Sequence, residues 1–223
     1  KHLIRDGHYE DEAILIIEMN YTDNPWFPES LEIKRKKNKE HVWEGACNDE
    51  VENSIILSEW FDACIDAHVK LGFKPNGMKV ASHDPSDTGP DDKAYTLRHG
   101  SVILEVLAKS DGDGNEGCDW ATGLAIEHGA DVYTWDCDGM GALLRRQVAD
   151  SLRGKKIEQV MFKGSEAVEH PNEQYQRADD DDRKATNKAS LKNKRAQYYS
   201  RLMVRCYKTY RAVVKGDYID PDE

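Results

Sequence analysis

Met78-Lys-Val-Ala-Ser-His-Asp84-Pro-Ser-Asp-Thr-Gly-Pro-Asp-Asp-Lys-Ala-Tyr-Thr-Leu-Arg-His-Gly100-Ser-Val-Ile-Leu-Glu-Val-Leu-Ala108 is the stretch that decides the fold. It reads as a strand over 78–84 that delivers an aspartate into a glycine-containing loop. Pro85 holds the residue before it in an extended conformation. Strands over 94–98 and 101–108 follow, joined at His99-Gly100 as a hairpin. Fifty-two residues after Asp84 the pattern recurs in Asp131-Val-Tyr-Thr-Trp-Asp136-Cys-Asp-Gly-Met-Gly-Ala142. A short strand ends on Asp136, and a glycine-rich turn feeds a helix. Two carboxylates at the ends of two strands of one sheet can share hard divalent cations, which prefer oxygen ligands.

Outward from these motifs the element order continues. A helix is expected over 116–128, closed by Gly129, then a strand over 131–136, a helix over 141–152 and a strand over 156–162. A polar stretch from 164 to 190 contains Asp179-Asp-Asp-Asp182 and reads as a loop. A long helix over 191–214 closes the pattern, with Leu191, Tyr198, Leu202, Cys206, Tyr210 and Val213 as its core stripe. Upstream, Ala13 to Met19 is a short apolar strand, 24–28 a turn with two prolines, and 29–39 a charged helix. Ser58 is the expected N-cap of a helix over 59–71, with Trp60, Cys64, His68 and Leu71 on one face and Gly72 as its stop. We divide the chain into residues 1–77, an entry strand with a helical linker, and residues 78–223, an α/β domain.

The composition narrows the function classes. The chain has 223 residues, 39% hydrophobic and 33% charged, with a net charge of −11. A general nucleic-acid coat would be basic, but a site that holds cations must be acidic. The five cysteines, at 47, 64, 118, 137 and 206, include no CxxC pair, so a reduced compartment is expected and a zinc knuckle is not. No apolar run is long enough for a transmembrane helix. The start, Lys1-His-Leu-Ile-Arg-Asp6, has no signal-peptide core and no methionine, which suggests a fragment.

The order βββαβαβα, a mixed sheet flanked by helices with an acid ending its first and fourth strands, is that of the ribonuclease H-like nucleases. More specifically, the chain resembles the C-terminal part of the large terminase subunit of short-tailed, lambdoid-type double-stranded DNA phages. The matching motifs are Asn20-Tyr-Thr-Asp-Asn-Pro25, Trp43-Glu-Gly45, His83-Asp-Pro-Ser-Asp-Thr-Gly-Pro90, Arg98-His-Gly-Ser-Val102, Asp119-Trp-Ala-Thr122, Trp135-Asp-Cys-Asp-Gly139, Phe162-Lys-Gly-Ser-Glu166, Lys192-Asn-Lys-Arg-Ala-Gln197 and Thr209-Tyr-Arg-Ala-Val-Val214. The resemblance implies that residues 1–77 hold the last strand of an ATPase domain and a linker, and residues 78–223 most of a nuclease domain. It implies cutting of concatemeric DNA by two-metal phosphodiester hydrolysis, with Asp84 bridging two Mg²⁺ or Mn²⁺ ions and Asp136 binding one. The implied partners are double-stranded DNA, the portal protein, the small terminase subunit and the ATPase domain of the same polypeptide. The implied location is the host cytoplasm, transiently at the procapsid portal, with no membrane association and no secretion. The family's third acid sits in a Ser-Pro-Asn/Asp-x-Ala-Asp-Ala type motif, and none occurs before Glu223. No third acid is therefore identified, and the chain is expected to stop short of it. No GxxxxGKS or GxxxxGKT phosphate loop occurs in the sequence either.

Other residues invite chemistry with less support. Asp138 is a further candidate ligand and equally a helix cap. Asp87, Asp91 and Asp92 read as solvated loop acids, and His83 should point to the opposite face of its strand from Asp84. Asp111-Gly-Asp-Gly-Asn115 fails as a calcium loop, because the required glycine and glutamate positions hold Glu116 and Thr122. Arg145, Arg146, Lys163, Lys192, Lys194 and Arg195 form the basic islands expected to contact DNA phosphates, with Lys155-Lys156 between them. Trp120 and Trp135 are expected in the interior. Two other readings stay open: a docking and DNA-binding module of the motor that does not cut, and a resolvase or integrase on the same fold.

Overall fold

The computed structural model describes residues 54–175 and 185–221, and the backbone of two short strands upstream of them. The chain forms two compact units, Lys1–Ser54 and Ile55–Glu223. In the first, strands β1 (His8–Glu10) and β2 (Leu15–Ile17) pair antiparallel, with Tyr9 opposite Ile16. The turn expected at 24–28, the helix at 29–39 and the Asp179–Asp182 run lie outside the described residues.

The second unit is built on five strands: β3 (Lys79–Asp84), β4 (Lys93–His99), β5 (Val102–Lys109), β6 (Val132–Asp136) and β7 (Glu158–Phe162). Their spatial order is β5-β4-β3-β6-β7. The β3-β4 and β4-β5 pairs are antiparallel, and β6 runs parallel to both β3 and β7. The hairpin needs Gly100, whose φ is +59° and whose added Cβ would lie 1.8 Å from the Asn76 carbonyl oxygen. All five expected strands are present, each within two residues of its expected bounds.

Strand alternation then sorts the side chains. Ala81 and His83, Tyr95 and Leu97, and Tyr133 and Trp135 face one way and are buried. Helices α3 (Gly114–Glu127) and α4 (Arg145–Ser151) cover them, contributing Cys118, Ala121, Ala125 and Val148 to one core. Trp135 is buried there, and Trp120 packs against it partly exposed. Small residues along α3 let the helix sit close to the aromatic strand face. The opposite face carries Ser82, Asp84, Thr134 and Asp136, and helix α6 (Lys194–Tyr210) runs over it, with Tyr198 edge-on to Phe162 at 5.0 Å between ring centroids.

Several helix bounds depart from expectation for identifiable reasons. The helix expected over 59–71 is two, α1 (Ser58–Cys64) and α2 (Ala67–Leu71), broken where Asp66 adopts a left-handed φ of 53°. Ser58 is the first helical residue and Leu57 the N-cap. Gly72 does end α2, with its N–H on the carbonyls of His68 and Val69. Helix α3 begins earlier than expected because Asp113 and Glu116 form a reciprocal capping box. The helix expected over 141–152 starts as a 3₁₀ turn, Gly139–Ala142, before α4. A one-turn helix, α5 (Asn187–Ser190), capped by Thr186, lies inside the stretch expected as a loop.

The stripe expected on the last helix is also corrected. Its buried face is Gln197, Ser200, Val204 and Cys206, while Tyr198 and Leu202 are exposed. Polar satisfaction sets this rotation. Gln197 accepts the Glu169 N–H at 2.8 Å and donates back to the Glu169 carbonyl at 2.9 Å, and Ser200 bonds the Tyr175 hydroxyl at 3.1 Å. Among the described residues no helix is long and apolar enough to cross a membrane.

Candidate active site

Asp84 and Asp136 end adjacent parallel strands. His83 is in register with Trp135, so the next residue on each strand is an aspartate, and both lie on the α6 face. Partial desolvation raises the Asp84 carboxyl above its usual range. The charge of Asp136 raises it further, Arg195 opposes the rise, and Asp91 adds to it. The two acids are therefore electrostatic neighbours.

One glycine makes this proximity possible. An added Cβ at Gly141 would lie 1.8 Å from the Asp136 carbonyl oxygen and 3.2 Å from Pro85 Cγ. Gly141 is thus wedged between the two acid-bearing strand ends, and its own carbonyl accepts the Trp135 indole N–H at 2.9 Å.

Asp136 is held on both oxygens. Oδ1 accepts the Asp138 N–H at 2.9 Å, and Oδ2 accepts Arg195 Nη2–H at 3.0 Å. The same Nη2 donates to Asp138 Oδ2 at 3.1 Å. Asp138 in turn accepts the Ser165 hydroxyl at 2.7 Å and the Ser165 N–H at 2.9 Å. The Ser165 hydroxyl contributes most to lowering the Asp138 carboxyl; desolvation opposes it, and the Ser165 N–H and the Arg195 charge add to the lowering. Among the described residues no group of three or more His, Cys, Asp or Glu side chains is arranged to hold a metal ion.

The remaining basic candidates are dispersed. Lys163 pairs with Glu166 at 3.9 Å, and Lys194 with Glu166 at 3.0 Å and Glu169 at 3.6 Å. Arg145 donates to Met161 Sδ, Arg146 pairs with Asp150 at 3.7 Å, and Lys192 is exposed. Arg195, by contrast, sits 59 residues from Asp136 in sequence and meets it in space.

Two residues that support the acid-bearing loops carry no signal in the sequence. Ser165, within the Phe162–Glu166 motif, anchors Asp138. Lys93 is fully buried at the start of β4. Its aliphatic stem lies against Gly117, where an added Cβ would meet Lys93 Cδ at 2.6 Å, and its ammonium donates to the Asp87 carbonyl at 3.4 Å. It thereby ties the Asp84 loop to α3, which Asp87 also grips by accepting the Gly114 N–H at 3.1 Å.

His83 faces the core, away from Asp84, and bonds the Tyr133 hydroxyl at 3.0 Å, while its buried Nε2 has no hydrogen-bond partner. Burial, and secondarily the Lys93 charge, lower its pKa from 6.5 to about 4. The unfolded chain takes up a proton near pH 6.5 that the folded chain refuses until about pH 4. Stability attributable to His83 is therefore complete above pH 6.5 and lost as pH falls toward 4, by on the order of 3 kcal/mol. Urea denaturation in EDTA across this range should show a slope that His83→Gln flattens. An unchanged slope would remove His83 as its source.

A mixed five-stranded sheet in this order, flanked by helices and with an acid closing each of two central parallel strands, defines a domain of the ribonuclease H-like class. The nuclease domain of the large terminase subunit gp2 of bacterial virus Sf6 is 53% identical to this chain with a TM-score of 0.70, over 76% of this chain and 71% of that one. A variant of that domain with calcium matches at 53% identity and a TM-score of 0.69, covering 76% and 71% of the two chains. A variant with manganese matches at 50% and 0.66, covering 76% and 70%. No family model and no curated protein matches. The chain belongs to the family of bacteriophage large terminase subunits, and 76% of it matches their nuclease domain.

Proposed function

We propose that the chain is a metal-dependent DNA endonuclease of a phage genome-packaging motor, cutting concatemeric duplex at packaging initiation and when the head is full. The observation that carries this reading is the placement of Asp84 and Asp136 on one face at the ends of adjacent parallel strands. Their all-oxygen donor set suits hard cations, and a cationic guanidinium already lies against Asp136. Asp84 and Asp136 would hold the metal, with Asp138 as an accessory acid. Bound Mg²⁺ or Mn²⁺, two ions in this reading, supplies activation of the attacking water and stabilisation of the leaving 3′ oxygen. Manganese and calcium in the Sf6 relatives support divalent metal use. Residues 1–77 would supply the end of an ATPase domain and a linker. In the motor, the ATPase, the small terminase subunit and the portal protein would hold the duplex near the acids, in the host cytoplasm at the procapsid.

The chain's own grip on DNA is expected to be weak, because its net charge is −11. Arg145, Arg146 and Lys192 would contact phosphates, and Lys163, Lys194 and Arg195 would do so only by leaving their carboxylate partners. The non-cutting reading is favoured by one observation, the lack of a third converging acid among the described residues. The test is nicking of supercoiled plasmid. Mn²⁺ should support it and EDTA should silence it, and no cutting at any Mn²⁺ concentration would leave the non-cutting module. In parallel gel shifts, binding should fall steeply with salt, and Arg145→Ala, Arg146→Ala or Lys192→Ala should weaken all sequences alike. A tight, sequence-specific footprint would favour a resolvase instead.

A further inference from the structure

Arg195 is the residue whose position the nuclease reading leaves unexplained. It is the second residue of α6, whose first N–H groups dock on the turn after β7. The Lys194 N–H donates to the Glu166 carbonyl at 2.8 Å and the Arg195 N–H to the Gly164 carbonyl at 2.9 Å. The side chain then lies flat on Gly164, where an added Cβ would meet Arg195 Nε at 2.8 Å and its Cβ at 2.9 Å. That cradle delivers one nitrogen, Nη2, to Asp136 Oδ2 and Asp138 Oδ2 together. The two carboxylates differ in what else they do. Asp138 is committed to Ser165 through both oxygens, whereas Oδ2 of Asp136 has Arg195 as its donor.

We propose that Arg195 is the resident counter-cation of the acid pair, which a divalent ion displaces from Asp136 and which Asp138, pinned by Ser165, retains beside the site. Arg195 is then a positioning residue that sets metal affinity through Asp136. The inference rests on the metal-site reading above. A guanidinium cannot shed its charge, so it and a divalent ion cannot both contact Oδ2 without strong repulsion. The Arg195 side chain is 48% exposed, and exposed ion pairs are weak. The contact can therefore yield to an ion while still neutralising Asp136 in its absence. In this scheme Asp138, fixed by two donors from Ser165, serves as the anchor for Arg195 in place of a metal ligand.

The test is calorimetric titration of Mn²⁺ into the 223-residue chain and its variants, with thermal melting in EDTA alongside. Arg195→Gln should tighten Mn²⁺ binding by about 3-fold or more, on the scale of an exposed ion pair, and lower the melting temperature in EDTA. Damage to the fold would weaken binding, so tightening separates competition from a structural role. Asp138→Asn alone should weaken binding, because the guanidinium then has only Asp136. Added to Arg195→Gln, it should change nothing further. Unchanged or weaker binding in Arg195→Gln would overturn the proposal. Equal weakening by Asp138→Asn in both backgrounds would do so too, by making Asp138 a ligand. Asp84→Asn and Asp136→Asn are the controls. If neither weakens Mn²⁺ binding, the metal site itself is misplaced, a failure distinct from that of Arg195.

Discussion

Asp84→Asn and Asp136→Asn are each expected to abolish Mn²⁺-dependent nicking of supercoiled plasmid while leaving the fold intact. Both residues stand at strand ends on the polar face of the sheet, outside the core beneath α3 and α4. Asparagine keeps the size and an acceptor oxygen, so the bond from the Asp138 N–H can persist. What it would remove is the charge proposed to hold the cation and, with it, the electrostatic stabilisation of the developing phosphorane charge. Loss of a single preorganised electrostatic contact typically costs about 10²–10³ in rate, and loss of a ligand charge should cost at least that. Rates over a time course, with melting curves for each variant, decide the matter. Wild-type cutting by either variant would refute the assignment.

Gly141→Ala should be nearly as damaging without touching a carboxylate. The new methyl would overlap the Asp136 carbonyl oxygen and press on Pro85, so the ends of β3 and β6 must separate. Overpacking of this kind costs about 1–3 kcal/mol of stability. A displacement of about 1 Å at a reacting centre can cost 10²-fold in rate, so nicking should fall by about that factor. Gly139→Ala is the comparison. Gly139 has φ +60° but open space around its Cβ, so alanine there should cost about 1 kcal/mol in backbone strain and spare the site. Urea midpoints and nicking rates for the pair separate backbone strain from wedging. Equal activity losses in the two variants would mean that the close approach of the strand ends is not what Gly141 protects.

The contrast between these two glycines shows where sequence reading stops. Gly139-Met-Gly141 is legible as a sharp turn, but nothing local says that Gly141 meets Pro85, 56 residues earlier. The strands were legible because alternation and β-branched content are local signals, and Asp84 and Asp136 because each ends a strand before a glycine-bearing loop. The helix bounds were less so. Asp66 takes a left-handed conformation usually left to glycine or asparagine, and the Asp113 cap lies inside what reads as a loop. On α6 the apolar stripe points partly outward, because Gln197 and Ser200 bury themselves through long-range hydrogen bonds to Glu169 and Tyr175. Arg195 follows the same logic. In Lys192-Asn-Lys-Arg195 it reads as one more phosphate contact, and only the docking of α6 onto the turn after β7 brings it to Asp136.

Asp84 and Asp136 together are expected to hold the divalent ions. Anomalous diffraction from Mn²⁺-soaked crystals of the chain measures this most directly. Manganese peaks are expected within coordination distance of both carboxylates, with Arg195 withdrawn from Asp136 onto Asp138. Well-ordered manganese bound elsewhere, with the Asp136–Arg195 contact intact and Asp84 touching no ion, would contradict it.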